Sequence, residues 1–423
     1  MATNGARIDS DDLIHPHHYG TKGVPHDVWT ELRAHAPVYR CEPSEHEPFW
    51  AITKHADIMD ISGRPDVFSN TAGPVILSRQ QLADRRNPEN PLATLRTIIE
   101  MDPPEHRDFR KVASGMFTPR GVQHLERLAA ESARALIDAL GADGECDFVE
   151  KIAQRHPLRI LAQLLGIDRD DEERVLELTQ QLFAGDDPDL QRKGEDRSEA
   201  QKQLGIEFYQ LFDRIVQDRR ANPRDDLATK LATGVLPDGS AMGPLETFGY
   251  YLIVFTAGHD TTRNALAGGL AALIENPDQL AALRGHPERA KAAVEEVVRW
   301  VSPVNYMRRL LLRDVELHGQ KLAKGDSLVM FYASANRDED VFDAPFRFDI
   351  SRHPNRHLGF GTGEHFCLGA HVARMSSRKL LEEIANRVEV LEPAASPSQI
   401  ESSFVVGLKS LPVRYRFRPA TAA

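Results

Sequence analysis

A single cysteine, Cys367, lies in a glycine-rich stretch that is suited to hold a reactive thiolate. From His357 to Gly369 the sequence reads His-Leu-Gly-Phe-Gly-Thr-Gly-Glu-His-Phe-Cys-Leu-Gly. Glycines permit backbone conformations and close approaches that residues with a Cβ resist. A helix is predicted to begin at Ala370, and the free N–H groups at a helix start favour a thiolate over a thiol. Such a thiolate, with room above it for something flat, suits an axial ligand of haem iron. A glycine-rich turn around an ordinary buried cysteine is the alternative.

A second stretch, Thr256 to Thr262, places polar residues inside an apolar helix. The pattern predicts one helix over Pro244–Glu275, whose first half is apolar nearly all round and should be buried. Thr-Ala-Gly-His-Asp-Thr-Thr packs poorly there, because glycine lowers helix propensity and Thr and Asp compete for backbone hydrogen bonds. Either a function gains from these residues, or the helix emerges into solvent where Arg263 and Asn264 follow.

Glu296 and Arg299 are neighbours on the surface of a helix predicted over Ala290–Val301. They fall opposite the stripe of valines that forms the apolar face of this helix. Exposed ion pairs of this kind contribute little to stability. Periodicity alone therefore predicts an ordinary solvated pair.

The order of these three motifs resembles the cytochrome P450 family, and the resemblance extends over essentially the whole chain. The cysteine stretch matches the haem-binding signature Phe-Gly-x-Gly-x-His-x-Cys-x-Gly, and Ala-Gly-x-Asp-Thr-Thr resembles the oxygen-activation motif. Glu296-x-x-Arg299 then resembles the family's structural pair, buried beneath the cysteine loop. The resemblance implies a single triangular, mainly α fold with small β-sheets and haem between the long helix and the cysteine loop. This domain is expected over residues 25–423, after an irregular lead-in over 1–24.

The same resemblance assigns roles to individual residues. Cys367 is expected to be the proximal ligand of haem b (iron protoporphyrin IX), Thr261 to hold dioxygen and a water, and Asp260 to feed protons. Further residues expected to contact the cofactor are His106, Arg110, Arg309, His357, His365, Phe360, Gly361 and Ala257, with Ala257 and Gly258 leaving space above the iron. The expected substrate pocket comprises Val75, Ile76, Leu77, Ile253, Thr256, Asn305, Met307, Phe404 and Val405, which are mostly apolar with one amide.

These roles predict a monooxygenase that inserts one oxygen atom from O2 into a hydrophobic small molecule. Phrases flanking the motifs resemble bacterial subfamilies that oxidise terpenoids and steroid side chains. A separate ferredoxin and ferredoxin reductase are expected to supply electrons, because the chain carries no flavin or iron–sulfur signature. Two alternatives stay open: a peroxide-driven haem-thiolate enzyme, which tends to lose the acid–alcohol pair, and a non-catalytic haem-thiolate binding protein, which needs no proton relay.

Composition restricts the partners and the compartment. The net charge of −11 argues against nucleic acid, because phosphate binding needs clustered cations. The three cysteines are far apart, which disfavours a disulfide framework or a zinc site. No apolar signal region or membrane anchor is recognised, so a cytoplasmic protein is expected. Because the ferredoxins that serve this family are acidic, a locally basic docking face is predicted at Arg107, Lys111, Arg374, Arg378 and Lys379.

Hydrophobic periodicity predicts a chain in which helices dominate. Helices are expected from Pro25, at His55 to Ser62, and over 121–140, 147–168, 170–184 and 198–220. Strands are expected at 38–41, 49–53, 309–317, 327–332, 388–391, 404–406 and 412–417. Residues 69–102 lack clear periodicity and are predicted to be either a binding loop or a surface insert, and 185–197 an acidic connector; whether these segments close over substrate is left open.

Overall fold

Helices make up most of the regular structure in the computed structural model, which describes residues 8–86, 95–183, 187 and 197–419. The helices are α1 (Pro16–Lys22), α2 (His26–His35), α3 (His55–Ser62), α4 (Arg79–Arg86), α5 (Glu105–Ser114), α6 (Leu125–Leu140), α7 (Arg155–Leu165), α8 (Glu172–Phe183), α9 (Arg197–Ala221), α10 (Leu227–Ala232), α11 (Pro244–Glu275), α12 (Pro277–Leu283), α13 (Ala290–Val301), α14 (Tyr332–Ala335) and α15 (Ala370–Arg387). The expected mainly α fold with small sheets is confirmed.

The strands form small sheets. They are β1 (Val38–Cys41), β2 (Phe49–Ile52), β3 (Phe68–Ser69), β4 (Asp143–Asp147), β5 (Tyr306–Leu311), β6 (Val315–Leu317), β7 (Gln320–Leu322), β8 (Ser327–Phe331), β9 (Val388–Pro393), β10 (Ser398–Gln399), β11 (Leu408–Ser410) and β12 (Pro412–Phe417). The largest sheet has the order β1-β2-β8-β5-β3, with β2 and β8 parallel and the other neighbours antiparallel. A second sheet has the order β4-β12-β9, and β6-β7 and β10-β11 pair separately.

Helix α11 crosses the interior and has the predicted bounds, Pro244–Glu275. Pro244 occupies the first turn, where its missing N–H costs nothing, and Glu246 accepts the N–H of Gly243 at 2.5 Å. Asn276 caps the other end immediately before Pro277. Most of its residues are buried, as the apolar pattern of its first half requires.

Glycine brings α13 close to α11. A Cβ on Gly269 would lie 2.6 Å from Cγ1 of Val297, and one on Gly268 would lie 2.8 Å from Cγ2 of Val301. Real Cβ atoms do not approach other carbons so closely. The two glycines therefore let the backbone of α11 rest against the valine stripe of α13, which fixes α13 relative to the central helix.

Glu296 and Arg299 are wholly buried, so the solvated pair indicated by periodicity alone is wrong and the burial expected from the family resemblance is observed. Arg299 donates to both carboxylate oxygens of Glu296 at 2.7 Å. Its remaining N–H groups bond three backbone carbonyls, those of Asn336, Pro345 and Arg347. Glu296 in turn accepts the N–H of Asp349 at 2.8 Å, the side-chain amide of Asn355 at 3.1 Å and the guanidinium of Arg352. The pair thereby fastens the irregular segment that leads to the cysteine loop.

Several element boundaries differ from those predicted. The lead-in predicted as irregular contains a 3-10 turn at Ser10–Leu13 and helix α1, both within its described residues 8–24. The single strand predicted over 309–317 is two strands, β5 and β6. No strand forms at 404–406, where Val405 makes only an isolated bridge to Val304, and the strand that precedes β12 is β11. Short helices and bridges carry too few residues for periodicity to identify.

Helix α4 lies in the segment 69–102, where the sequence shows no clear periodicity and predicts a binding loop or a surface insert. None of its residues is buried, so it has no apolar face that a sequence pattern could reveal. Arg85 at its end is ion-paired with Glu100, which also accepts the N–H of Thr97 at 3.1 Å. Residues 87–94 lie outside the described residues. So does the connector 185–197, except for Asp187 and for Arg197, at which α9 begins.

Replacing Arg299 with methionine should lower the free energy of unfolding by about 3–5 kcal/mol, because it removes the partner that binds both oxygens of the buried Glu296 carboxylate and leaves three backbone carbonyls without their donor. Arg127→Met is the matched control, since Arg127 is exposed and lies 3.7 Å from Glu131 in an ordinary surface pair. The control should change stability by less than about 0.5 kcal/mol. Urea unfolding of both variants measures the difference, and equal midpoints for the two would contradict a structural role for the buried pair.

Candidate active site

One cavity brings together the cysteine loop and the central turns of α11. Cys367, Leu368 and Gly369 line it, and so do Ala257 and Thr261. Its remaining lining is mostly apolar and comes from the segments before and after α5, from α7, from α13, from β5 and the residues just before it, and from α15. These further residues include Ile98, Ile99, Phe117, Ile160, Leu161, Val254, Val298, Val304 and Val372.

The cysteine loop turns sharply at two glycines. Gly361 and Gly363 have φ of 68° and 70°, in the left-handed region that favours glycine. The N–H of Cys367 donates to the carbonyl of Phe360 at 2.9 Å, which closes the turn. Burial raises the pKa of the Cys367 thiol, while hydrogen bonds from the N–H groups of Gly369 and Ala370 act to lower it. The expected effect of the helix start is present, but it does not outweigh burial.

Four nitrogen-bearing side chains gather at one side of the cavity: His106, Arg110, Arg309 and His365. The rings of His106 and His365 lie with their centroids 4.0 Å apart. Burial, together with Arg110, lowers the pKa of His106 to about 4, and burial together with His106 lowers that of His365 to about 3. Burial also lowers the pKa of Arg309. At neutral pH the cluster therefore offers two neutral imidazoles beside two guanidinium groups.

This cluster fits a cofactor that carries carboxylates. Nδ1 of His106 and Nε2 of His365 are buried and have no hydrogen-bond partner among the described residues. Buried polar atoms of this kind are ordinarily satisfied, so they indicate a ligand that completes them. Arg110 and Arg309 supply charged donors that suit two carboxylates. The propionates of haem match this donor set, and the thiol of Cys367 lines the same cavity.

Thr261 and Ala257 interact within α11. The Thr261 hydroxyl donates to the Ala257 carbonyl at 2.7 Å, which leaves its oxygen lone pairs available to accept. Ala257 turns a small side chain to the cavity. Gly258 serves packing as well as space, because a Cβ on it would lie 2.9 Å from Cδ2 of Leu161 on α7.

Asp260 does not line the cavity. Its carboxylate is buried and accepts from Nη1 of Arg263 at 2.9 Å and from the amide of Asn264 at 3.4 Å. Arg263 also donates to the carbonyl of Leu408 at 3.3 Å. The residues after the motif therefore do not mark emergence into solvent, since both Arg263 and Asn264 are buried around the carboxylate.

His357, expected to contact the cofactor, does not line the cavity either. Its Nε2 lies 3.1 Å from Oε2 of Glu295, and its Nδ1 accepts the N–H of Gly359 at 3.2 Å. Sequence spacing could not reveal this arrangement, because Glu295 belongs to α13 and reaches the loop only in the folded chain. Phe360 and Gly361 do line the cavity, as expected.

The predicted substrate pocket is only partly assembled. Ile253 and Met307 line the cavity, whereas Val75, Ile76, Leu77, Thr256, Asn305, Phe404 and Val405 do not. Asn305 is instead a buried structural amide that donates to the hydroxyl of Tyr19 at 3.0 Å and to the carbonyl of Ser403 at 2.7 Å. Phe404 packs on Tyr306. The predicted pocket was inferred from the resemblance to relatives. In this chain Asn305 and Phe404 pack against residues outside the cavity instead.

Sequence reasoning missed several lining residues. Tyr250, Val254 and Ala265 were not predicted, and they line the cavity together with the predicted Ala257 and Thr261, at intervals of three or four residues along α11. Extending this helical periodicity from Thr261 would have identified Val254 and Tyr250. The lining residues before α5 and on α7 have no such signal, because only tertiary packing brings them to the site.

The predicted basic docking face is largely neutralised. Arg107 pairs with Glu364, and Arg374 donates to both oxygens of Glu295 at 2.8 and 2.9 Å. Arg378 and Lys379 both pair with Glu126, at 2.7 and 3.0 Å. Lys111 is exposed and has no ion-pair partner among the described residues. Acidic residues from other elements cancel most of the charge that the sequence places there.

None of the described helices combines the length and the apolar composition needed to cross a membrane.

This chain is similar to known proteins over most of its length. The family model described as Cytochrome P450 matches residues 171–417. Cytochrome P450-terp of a Pseudomonas species is 36% identical over 95% of this chain and 96% of its own. Linalool 8-monooxygenase of Pseudomonas putida is 36% identical, covering 96% and 99%, and a steroid C26-monooxygenase of Mycolicibacterium smegmatis is 36% identical, covering 93% and 91%. The crystal structure of CYP108D1 from Novosphingobium aromaticivorans superposes with a TM-score of 0.87 at 36% identity, covering 97% of this chain and 98% of that one.

Replacing Cys367 with histidine should abolish the red-shifted carbonyl band of the reduced haem-bound protein, because that band requires a thiolate ligand. Cys146→Ala is the matched control, since Cys146 lies on β4 and does not line the cavity. The control should keep the band. Spectra of the carbon monoxide complexes measure both, and a band that persists unchanged in Cys367→His would exclude Cys367 as the ligand.

Proposed function

The chain belongs to the cytochrome P450 family and is a cytochrome P450 monooxygenase, and from that premise we propose how its own residues perform the reaction and on what class of substrate. The observation that carries the proposal is that Cys367 and Thr261 line one cavity. A thiol from the loop and a hydroxyl from α11 thereby face a shared, mostly apolar space. A protein that only bound haem through a thiolate would have no use for the acid–alcohol pair that follows Ala257 and Gly258.

We infer that Cys367 holds the haem iron and that His106, Arg110, Arg309 and His365 hold its propionates. When bound, haem supplies the iron at which O2 is activated, and a thiolate ligand favours cleavage of the O–O bond. The side chains that hold the propionates anchor the cofactor at its edge. The N–H groups of Gly369 and Ala370 hold the sulfur atom in place.

Thr261 and Asp260 would handle protons. Since the Thr261 hydroxyl donates its hydrogen bond to the Ala257 carbonyl, the hydroxyl oxygen can accept a hydrogen bond from a water in the cavity. Asp260 would relay a proton to that water: its carboxylate would leave Arg263, take up a proton from solvent and pass it on as it turns toward the cavity. Thr261 thus positions the water, and Asp260 determines when a proton reaches it.

The substrate is proposed to be hydrophobic, with a terpenoid or steroid-like skeleton. Several polar groups of the lining are already engaged: Tyr250 donates its hydroxyl to the Phe109 carbonyl at 3.2 Å, and Thr262 donates to the Gly258 carbonyl at 2.9 Å. The amide of Asn70 donates to Asp102 at 3.2 Å. A substrate that fills this space would therefore be held mainly by apolar contact. Relatives named for linalool and for steroid C26 oxidation support the two skeletons.

Electrons are proposed to come from a separate ferredoxin and its reductase. With most cations near the cysteine loop paired to acidic residues, electrostatic attraction of an acidic ferredoxin would rest on few groups, among them Lys111. Apolar contact would then contribute as well, and Phe366, next to Cys367, is 38% exposed.

Terpenoid or steroid ligands should shift the haem spectrum toward the high-spin form when titrated into the protein, while hydrophilic molecules of similar size should not. Ile253→Phe should weaken binding of the larger steroid by about tenfold, because it adds volume to a lining position and overpacking of this kind costs at least about 1 kcal/mol. Ile206→Phe is the matched control, since Ile206 is exposed on α9. Saturating shifts from fatty acids or small aromatics alone would overturn the proposed skeletons.

Thr261→Ala should divert electrons into peroxide while leaving substrate affinity nearly unchanged. Proton transfer by a positioned group typically contributes about 100-fold or more, so product formed per reductant consumed should fall by roughly tenfold or more. Thr256→Ala is the matched control, because Thr256 also donates to a carbonyl one turn earlier, at 2.8 Å, but does not line the cavity. Product yield and peroxide are measured together. Equal yields in the two variants would remove Thr261 from the reaction.

A further inference from the structure

Glu295 is the carboxylate next to the buried Glu296, and it contacts the cysteine loop and α15 at once. Arg374 of α15 donates to Oε1 and Oε2 of Glu295 at 2.8 and 2.9 Å. His357, at the start of the cysteine loop, lies 3.1 Å from Oε2 of the same carboxylate. One side chain of α13 thereby joins the loop to the helix that follows it.

The hydrogen bonds of His357 determine its tautomer. The N–H of Gly359 donates to Nδ1 at 3.2 Å, so Nδ1 carries a lone pair and no proton. The proton is then on Nε2, which donates to Glu295. His357 thereby links the carboxylate of Glu295 to the backbone of the loop at Gly359.

Arg374 reaches the loop by a second route. Its guanidinium lies over the ring of Phe360, 4.3 Å from the centroid, in a cation–π contact. The carbonyl of Phe360 accepts the N–H of Cys367 at 2.9 Å. One series of contacts thus runs from Glu295 through Arg374 and Phe360 to Cys367. A second series runs from Glu295 through His357 to Gly359 of the same loop.

Glu295 neutralises Arg374. Burial of the Glu295 carboxylate opposes ionisation, but hydrogen bonds from His357 and Arg374 and the charge of Arg374 outweigh it and lower the pKa of Glu295 to about 2. The carboxylate is therefore ionised at neutral pH. Removing one member of the pair leaves the other as an uncompensated charge beside the loop that carries Cys367.

We propose that Glu295 is a positioning residue that holds Arg374 over Phe360 and balances its charge, so that this ion pair sets the reduction potential at the Cys367 site. The proposal rests on Cys367 being the thiolate ligand of haem. One-electron reduction by an external donor adds a negative charge at the site, which an uncompensated cation favours and an uncompensated anion opposes. A pair of opposite charges close to the ligand loop can thus shift the potential in either direction when one member is lost.

The test uses charge-removing variants of similar shape in the haem-bound, substrate-free protein. Glu295→Gln should raise the reduction potential, because the Arg374 cation is left uncompensated. Arg374→Gln should lower it, because the Glu295 anion is left instead. The double variant should return toward the parent value. Spectroelectrochemical titration measures all three, and the shifts should be smaller at high salt, since both side chains are about one-third exposed.

A second ion pair of α15 provides the matched control. Arg378 donates to Glu126 at 2.7 Å, and its side chain is as exposed as that of Arg374. This pair joins α15 to α6, and its other ion pairs are with Lys379 and Glu382 of α15 rather than with the cysteine loop. Glu126→Gln and Arg378→Gln should shift the potential much less than the corresponding changes at Glu295 and Arg374.

The outcomes separate this proposal from a purely structural role and from failure of the ligand assignment. Opposite shifts in the two single variants, with the red-shifted carbonyl band retained, support it. Shifts of the same sign, or shifts no larger than those of the control pair, overturn it, because loosening of the loop would act alike in both variants. A parent protein that lacks the carbonyl band would instead refute Cys367 as the ligand.

Discussion

The fold around the cysteine depends on a carboxylate and a guanidinium that are both withdrawn from solvent. Burying Glu296 and Arg299 is costly, and the cost is offset only when every remaining donor and acceptor is satisfied. Here the partners are backbone groups and two side chains, Arg352 and Asn355, of the segment between α14 and the cysteine loop, which contains no helix or strand. The ion pair therefore defines the path of an irregular segment and, through it, where the cysteine loop begins.

Close packing of α11 defines the opposite side of the site. Gly269 and Gly268 let α13 approach α11, and Gly258 lets α7 approach it one turn from Thr261. The helix that carries the hydroxyl is thereby held against the helix that carries the buried pair. Because α13 holds both the cysteine loop and α11, a displacement of α13 would move the loop and the Thr261 side of the cavity together.

Most charged side chains near the site form ion pairs or hydrogen bonds with neighbouring side chains. Asp260 is held by Arg263 and Asn264, and Glu295 holds Arg374 and His357. His106 and His365, which line the cavity together with Arg110 and Arg309, each have a buried ring nitrogen without a partner among the described residues. The contrast distinguishes residues arranged to receive a ligand from residues arranged to hold the protein in place.

The sequence by itself determined the chemistry and the long elements. Cys367 in its glycine-rich loop, the acid–alcohol pair in an apolar helix, and the bounds of α11 and α13 follow from local pattern and from the resemblance that the motifs carry, because glycine conformations, capping and periodicity act over a few neighbouring residues. Only the tertiary structure decided which side chains reach the cavity. Glu296 lies opposite an apolar stripe and is nevertheless buried, His357 turns to Glu295, and Asn305 ties Tyr19 to the chain near Ser403. In each case the partner is distant in sequence, and the free energy that fixes the side chain comes from satisfying a buried polar group, which no local pattern encodes.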